Sequence, residues 1–271
     1  ANNPENPNVS VNVIIDDHGH TPLHWAAALS KISVVKMLLA RRPERGGANV
    51  HAGNFAGETA LHRSVLVNNN YESGDFPDIL NLLSESLSTR DYKRRTILHH
   101  IAMVAALRGR AASARYYLAC VLEHIAQQQR NAQNAIASGA RLSAVMSPTG
   151  AAALINAQDE DGETALGIVA RIGNASMIRM LLDIGARKDI VNHFGIRASN
   201  WGIDLYQQQL AQQTGKGSKS LTDGAETALA EELAASKAGD VVNALVQAPS
   251  PPTQKSEDVM KGECMPMATS L

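Results

Sequence analysis

Histidine is the residue type whose spacing in this sequence most readily suggests chemistry. Convergent imidazoles can bind a transition metal, and a histidine can move protons near neutral pH. Six of the nine histidines recur or lie near one another in the chain: His18, His20, His24, His62, His99 and His100. His20 and His24 straddle a predicted boundary between a turn and a helix, so they do not share a helical face. We therefore expect His24, His62 and His99 to be structural residues bound to the backbone, and we predict no metal site.

The acidic and glycine-rich stretches do not predict an active site. A cluster of acidic residues at 159–163 lies in a predicted hairpin, where acidic turn residues are ordinary. The sequence has no G-x-S-x-G pattern around a nucleophilic serine. Residues 215–220 (GKGSKS) lack the spacing of a phosphate-binding loop and follow no predicted strand, so we expect a flexible linker. We predict that the chain is not an enzyme, with no catalytic residues, no cofactor and no small-molecule substrate.

The bulk composition limits the classes of direct partner. The formal net charge of −1 over 271 residues argues against a general affinity for nucleic acid. No apolar run approaches the ~20 residues that a membrane helix needs, so we predict no membrane contact.

The recurring histidines belong to a motif that begins with threonine and indicates a repeated structural unit. It reads Thr21-Pro-Leu-His24, Thr59-Ala-Leu-His62, Thr96-Ile-Leu-His99 and Thr164-Ala-Leu-Gly167. The first two intervals lie near the ankyrin period of ~33 residues, and the third is about twice as long. The pattern T-P-L-H-x-A is typical of ankyrin repeats, and four correlated matches in one chain are a specific signal.

Helix chemistry supports this assignment. Threonine caps a helix through its side-chain oxygen, and Pro22 occupies the first helical position, where its missing N–H costs nothing. Gly19, Gly57 and Gly162 each lie two residues before a threonine, where a tight turn needs a positive φ. A pair of helices cannot bury its apolar face alone, so neighbouring units must stack. We predict an all-α ankyrin-repeat solenoid with short hairpin turns and long insertions, built from four repeats and a degenerate fifth in which Arg197 replaces the threonine.

The domain organisation follows from the limits of the repeats. We predict three parts: a disordered segment over 1–15, the ankyrin-repeat domain over 16–206, and a mostly disordered tail over 207–271 with a helix over 225–246. Two insertions interrupt the domain. Residues 68–75 should form a surface loop in repeat 2, and residues 127–154 a long, largely disordered insertion before repeat 4.

A more specific resemblance extends over residues 16–204. The residues that carry it are Thr21-Pro-Leu-His-Trp-Ala-Ala-Ala28, Gly57-Glu-Thr-Ala-Leu-His-Arg63, Arg95-Thr-Ile-Leu-His-His-Ile101, Ala114-Arg-Tyr-Tyr-Leu118, Asn156-Ala-Gln-Asp159 and Gly162-Glu-Thr-Ala-Leu166. With the insertions in repeats 2 and 3, they resemble the ankyrin region of the fungal START cell-cycle transcription factors, the subunits of the SBF and MBF complexes.

That resemblance implies a nuclear protein that controls transcription at the start of the cell cycle. Its partners would be other subunits of the transcription complex and their regulators, and DNA would be contacted only indirectly, through a domain absent from this chain. Whether the chain comes from a DNA-binding subunit or from its non-DNA-binding partner stays open. The alternative is a generic cytoplasmic ankyrin adaptor in signalling.

The candidate partner-binding residues vary where the core positions stay small and apolar. The position four residues after each threonine holds Trp25, Arg63, His100 and, in repeat 4, Ile168. Of these types, tryptophan and arginine dominate the energetics of interfaces, so Trp25, Arg63 and His100 are the candidates. In the alternative interpretation, Trp25 packs between repeats and Arg63 is merely solvated. Tyr92, Lys93 and Arg94 lie in the densest basic run, which also fits an exposed turn or a localisation signal. Ser250 precedes a proline and is a candidate phosphorylation site.

Overall fold

Threonine opens the first helix of four repeats, at the positions that the motif predicts. The computed structural model describes residues 11–41, 46–137 and 148–204. The helices there are α1 (Pro22–Ala28), α2 (Ile32–Leu39), α3 (Ala60–Val65), α4 (Asn69–Ser73), α5 (Phe76–Leu82), α6 (Ile97–Ala105), α7 (Ala111–Ala137), α8 (Pro148–Ile155), α9 (Ala165–Ile172) and α10 (Ala175–Asp183). Two 3₁₀ turns, Ser84–Ser86 and Ala198–Trp201, complete the regular structure of these ranges. The predicted tail, its helix over 225–246 and Ser250 lie outside the described residues.

The helices form two parallel rows. The first helices of the repeats, α1, α3, α6 and α9, pack on one another in chain order, and the 3₁₀ turn Ala198–Trp201 packs on α9. The second helices, α2, α5, α7 and α10, form the other row, each in contact with the first helix of its own repeat. The described residues contain no extended strand, only three isolated β-bridges at the hairpins. The predicted all-α ankyrin solenoid, with a truncated fifth unit, is confirmed.

The motif leucine accounts for much of the shared core. Leu23, Leu61, Leu98 and Leu166 occupy the same place in successive first helices, and each is only 1% exposed. Full burial of a leucine contributes roughly 1.5–3 kcal/mol. The neighbouring alanines are small enough to let adjacent helices approach closely.

Both insertions and the N-terminal segment differ from the prediction. Residues 69–73 form helix α4 within the expected loop, and Asn70 of that helix is fully buried. Helix α7 continues to Ala137 and α8 covers Pro148–Ile155, so disorder is wrong for those parts of 127–154. The Asn12 side chain donates to the Gly47 carbonyl at 3.0 Å and accepts the Asn49 N–H at 2.8 Å, so residue 12 is anchored rather than disordered.

Helix α7 is held to repeat 2 by aromatic contacts. Tyr117 is fully buried, and its ring meets that of Phe76 in α5 edge to face, with centroids 4.8 Å apart. Its hydroxyl donates to the Val67 carbonyl at 2.7 Å. These contacts supply the packing that stabilises a 27-residue helix rich in glutamine and alanine.

In the part of the chain described, no helix is both long enough and apolar enough to span a lipid bilayer.

Candidate protein-binding face

Each repeat begins with a tight hairpin, which we call a finger. Fingers 1 to 5 are residues 16–20, 54–58, 91–95, 159–163 and 192–196. In finger 2, Asn54 Oδ1 accepts the N–H groups of Ala56 and Glu58, both at 2.9 Å. The first residues of the other fingers accept one or both corresponding N–H groups: Asp16, Asp91, Asp159 and Asn192. The side chain at this position therefore shapes the turn.

Successive fingers are joined by one backbone hydrogen bond in constant register. The Phe55 N–H donates to the His18 carbonyl at 3.0 Å. The later bonds, at 2.9 to 3.0 Å, join the equivalent positions: Tyr92 to Ala56, Glu160 to Lys93, and His193 to Asp161. The insertions in repeats 2 and 3 therefore leave the register of the fingers unchanged.

The second and third residues of every finger are exposed. We call this set the finger face: Asp17, His18, Phe55, Ala56, Tyr92, Lys93, Glu160, Asp161, His193 and Phe194. Its chemistry changes from finger to finger on an unchanging backbone ladder. Such a fixed row of varied side chains can recognise the surface of another macromolecule.

The turn glycines meet two requirements at once. Gly57 has a φ of +80°, and a Cβ there would lie 2.7 Å from the Tyr92 backbone nitrogen. Gly19 has a φ of +82° and faces Phe55 in the same way. Arg94, which replaces glycine in finger 3, also has a positive φ, of 60°. The left-handed conformation is thus kept in this finger even without glycine.

The repeat histidine ties its own helix start to the next finger. His24 Nδ1 accepts the Thr21 N–H at 3.1 Å and lies 2.9 Å from the Thr21 hydroxyl. Since Nδ1 is an acceptor, Nε2 carries the proton, and it donates to the Glu58 carbonyl at 2.9 Å. His99 repeats this arrangement with Thr96 and, at 3.1 Å, the Glu163 carbonyl. Burial lowers the pKa of both histidines, which favours this neutral form.

In repeat 4, a carboxylate replaces the histidine as the acceptor for the threonine N–H. Gly167 stands where the other repeats have histidine, and a Cβ there would lie 1.9 Å from Glu163 Oε1. That carboxylate accepts the Thr164 N–H at 3.2 Å, while Thr164 Oγ1 accepts the Gly167 N–H at 3.1 Å. Glu163 therefore fills the place of the missing imidazole.

Two of the remaining histidines form a buried pair in repeats 2 and 3. His62 Nδ1 accepts the Thr59 N–H at 3.1 Å, but its Nε2 has no hydrogen-bond partner among the described residues. Its ring centroid lies 4.8 Å from that of His100, and His100 Nε2 contacts Asp91 Oδ2 at 3.0 Å. His100 is only 3% exposed. The prediction that His100 contacts a partner directly is therefore wrong, because its imidazole is buried inside the stack against Asp91.

Trp25 and Arg63 are at the surface beside fingers 1 and 2. Trp25 is 43% exposed, and its Nε1–H donates to Asp16 Oδ2 at 2.8 Å. Arg63 lies 3.6 Å from Glu58 Oε2 and keeps 28% of its side chain exposed. Neither side chain is buried between repeats, so both are available to a partner.

The basic run falls on finger 3 and the finger face. Tyr92 is 75% exposed, and Lys93 and Arg94 are exposed beside it. Phe55 and Phe194 also lie on the finger face and are 63% and 71% exposed, but neither was among the predicted partner-binding residues. A signal was present, because every finger begins with an aspartate or asparagine, which lies three residues before the turn glycine or, in finger 3, before Arg94. The next two positions are the tips of the finger.

Finger 1 also brings together three groups of metal-ligand type. One atom each from Asp16, His18 and His20 lie within 4.8 Å of one another. However, Asp16 Oδ2 contacts His20 Nδ1 at 2.7 Å and also accepts from Trp25, while Asn54 Nδ2 donates to His20 Nε2 at 3.0 Å. These hydrogen bonds account for the proximity of Asp16 and His20.

Comparison with known proteins agrees with this architecture. The profile of the ankyrin repeat family matches residues 18–55, and that of ankyrin repeats in many copies matches residues 135–182. Transcription factor SWI6 of Pyricularia oryzae is 39% identical over an alignment of 203 residues, and the match covers 70% of this chain and 22% of that protein. Start control protein cdc10 of Schizosaccharomyces pombe is 35% identical over 252 residues, or 93% of this chain and 29% of that protein. The chain thus spans less than a third of these relatives.

A solved structure also matches this chain. The ankyrin-repeat fragment of Saccharomyces cerevisiae SWI6 is 34% identical, with a TM-score of 0.61, and the match covers 73% of this chain and 75% of that fragment. The arrangement of the stack is therefore shared with it. The chain belongs to the ankyrin-repeat regions of the fungal START cell-cycle transcription factor subunits.

Proposed function

We propose that this chain is the protein-binding scaffold of a nuclear transcription-regulatory complex that controls the start of the cell cycle. The finger face holds the protein partner, which is another subunit of the complex or a regulator. DNA is reached only through a domain outside this chain. The scaffold has no catalytic role, and the engagement of the repeat histidines with backbone groups supports this.

The observation that carries the proposal is the constant register of the fingers. Four interfinger hydrogen bonds hold chemically different side chains in one exposed row, despite the insertions in repeats 2 and 3. A surface that is already ordered loses little conformational entropy when a partner binds. Exposed aromatic residues, here Phe55 and Tyr92, are also of a type that is enriched at protein interfaces.

Site-specific photo-crosslinking in the full-length protein tests this proposal. A benzophenone amino acid replaces Phe55, Tyr92 or Phe194 on the finger face, or Met37 as the control. Met37 is 67% exposed but lies on α2, in the row of second helices. In cells of the organism that makes the protein, the finger positions should crosslink to a transcription-complex subunit or regulator, and Met37 should not.

The crosslinking outcomes separate the two candidate roles. If the finger positions captured only cytoplasmic signalling proteins, the generic adaptor would be the better description. If Met37 captured the same subunit as the fingers, the finger face would not be the binding surface. A captured subunit, once purified, should bind the isolated chain with a dissociation constant on the order of 1 μM.

A further inference from the structure

A cleft of about 510 Å³ lies between fingers 1 and 2, at the first end of the finger face. Two partly exposed aromatic rings, Trp25 and Phe55, line it together with the carboxylates of Asp16, Asp17 and Glu58. The cleft thus combines aromatic rings and carboxylates.

The aromatic side of the cleft is already fixed in place. The hydrogen bond from Trp25 Nε1–H to Asp16 Oδ2 orients the indole, and the His20 ring packs edge-on against it with centroids 6.0 Å apart. The Phe55 ring lies against Gly19, where a side chain would leave it no room. A ligand would therefore meet two rings that need not be reorganised.

The charge of the cleft is negative. Three carboxylates face one cation, Arg63, which pairs with Glu58 at 3.6 Å. Desolvation acts to raise the pKa of Asp16, but hydrogen bonds from His20, Trp25 and His18 outweigh it and hold that pKa well below its usual range. Asp17 is exposed and makes no hydrogen bond or ion pair with any described residue. The cleft thus has an unpaired carboxylate beside its aromatic rings.

We propose that this cleft binds a basic side chain, arginine or lysine, of the partner protein. A cation over an aromatic face gains roughly 0.5–2 kcal/mol, and a carboxylate adds a charge-assisted hydrogen bond. An acidic partner segment would instead be repelled by Asp16, Asp17 and Glu58. The inference rests on the proposed function, because it names the chemistry by which one end of the finger face holds its partner.

The two tryptophans make a direct test possible. In the ¹⁵N-labelled chain only Trp25 and Trp201 give indole N–H signals, and a Trp201→Phe variant assigns them. The probes are blocked pentapeptides Gly-Ser-X-Ser-Gly, in which X is arginine, lysine or citrulline. Citrulline keeps the shape of arginine without its charge. The Trp25 signal should shift saturably with the arginine and lysine peptides, with a dissociation constant on the order of 1 mM, while the Trp201 signal stays in place.

Matched variants separate the cleft from general charge effects. Asp17→Asn and Phe55→Leu should each weaken binding of the arginine peptide roughly fivefold. Glu160→Gln removes the same charge at the equivalent position of finger 4, and Tyr92→Leu removes the equivalent aromatic ring of finger 3. Both controls should leave the titration unchanged. Asp17 is exposed and forms no hydrogen bond or ion pair with the described residues, so its variant should fold like the parent chain.

Three results would overturn the inference: no Trp25 shift with either basic peptide, an equal shift with citrulline, or an equal loss in the Glu160→Gln control. Each can occur while the crosslinked partner still binds, which would leave the proposed function intact. Conversely, a normal peptide response without any captured partner would count against the proposed function alone.

Discussion

The turn glycines of the fingers differ in whether the next finger also packs closely against them, and mutation can separate this packing from the positive φ. Gly57 combines a positive φ with close contact to the next finger, whereas Gly195 has a φ of +76° and no atom within 4 Å of its Cβ position. The left-handed conformation costs a non-glycine residue about 1 kcal/mol, and loss of the Tyr92 interfinger bond adds about 1 kcal/mol more.

We therefore expect Gly57→Ala to lower the free energy of unfolding by about 2 kcal/mol and Gly195→Ala by about 1 kcal/mol. Urea denaturation followed by circular dichroism measures both. Equal losses in the two variants would show that close approach of the next finger adds nothing.

In finger 3 the opposite substitution can be made, because a non-glycine residue occupies the position of the turn glycine. Arg94 has a φ of 60°, a conformation that glycine adopts without strain. Arg94→Gly should therefore raise the free energy of unfolding by about 0.5–1 kcal/mol, by the same urea titration. The exposed Arg108→Gly, outside the fingers, is the control and should not stabilise. A destabilised Arg94→Gly chain would mean that the arginine side chain makes a stronger contribution than the backbone strain.

The stability of the folded chain should fall in acid partly because of one buried residue, His62. Burial lowers the pKa of His62 to about 3, with the nearby His100 acting in the same direction, against 6.5 for an ordinary histidine. The unfolded chain therefore binds this proton at higher pH than the folded chain does. Protonation of His62 therefore leaves the free energy of unfolding unchanged above pH 6.5. As the pH falls from 6.5 toward 3, it lowers that free energy by about 1.4 kcal/mol per pH unit.

The variant His62→Gln should remove that part of the pH dependence. Between pH 6.5 and 4.5, its unfolding free energy should fall less steeply than that of the parent, by up to about 1.4 kcal/mol per pH unit. The exposed His193→Gln serves as the control and should keep the parental slope. The assignment to His62 fails if the two variants have the same slope.

At the scale of elements, helix α4 provides hydrogen-bond donors to carbonyls near the ends of α1 and α3. Asn70 Nδ2 donates to the carbonyls of Ala27, near the end of α1, and Ser64, near the end of α3, both at 2.9 Å. An insertion that looked like a polar surface loop thus satisfies buried backbone groups that the helix ends leave without partners.

Asn70→Ala should therefore destabilise the chain by about 2 kcal/mol, because two buried carbonyls lose their donors. The neighbouring Asn69 is exposed, and Asn69→Ala should change stability by less than about 0.5 kcal/mol. Thermal unfolding compares them directly. Similar midpoints for the two variants would show that α4 does not stabilise the ends of α1 and α3 through Asn70.

At the scale of the whole molecule, the two rows of helices separate stability from recognition. The core lies between the rows, while the finger face is exposed along one edge and contributes little buried area. Surface substitutions there should alter binding without altering folding.

Lys93→Glu tests this separation. It should weaken binding of the crosslinked partner roughly tenfold and leave the unfolding midpoint unchanged, because an interface charge is reversed outside the core. Lys36→Glu reverses a charge on α2 and should leave binding intact. Equal effects of the two substitutions would point to long-range charge rather than to contact at finger 3.

Much of the fold could be predicted because the repeat motif is local. Threonine caps, turn glycines and the motif leucine each act within a few residues, so their spacing indicated the first helices and the stacking of repeats. Helix α4 and the full length of α7 could not be predicted, because both depend on packing: Asn70 on two neighbouring helix ends, and α7 on Tyr117 against Phe76.

The candidate site, like the fold, was predictable only in the features that depend on short-range sequence. Composition and spacing alone determined that this is an ankyrin solenoid and which positions recur in it, since helix capping and turn geometry are short-range. Only the tertiary structure decided which recurring residues are exposed. It placed His100 inside the stack against Asp91, and it brought Trp25 and Phe55, 30 positions apart in sequence, to one acidic cleft. Burial and cleft formation depend on what neighbouring repeats bring into contact, and no single repeat contains that information.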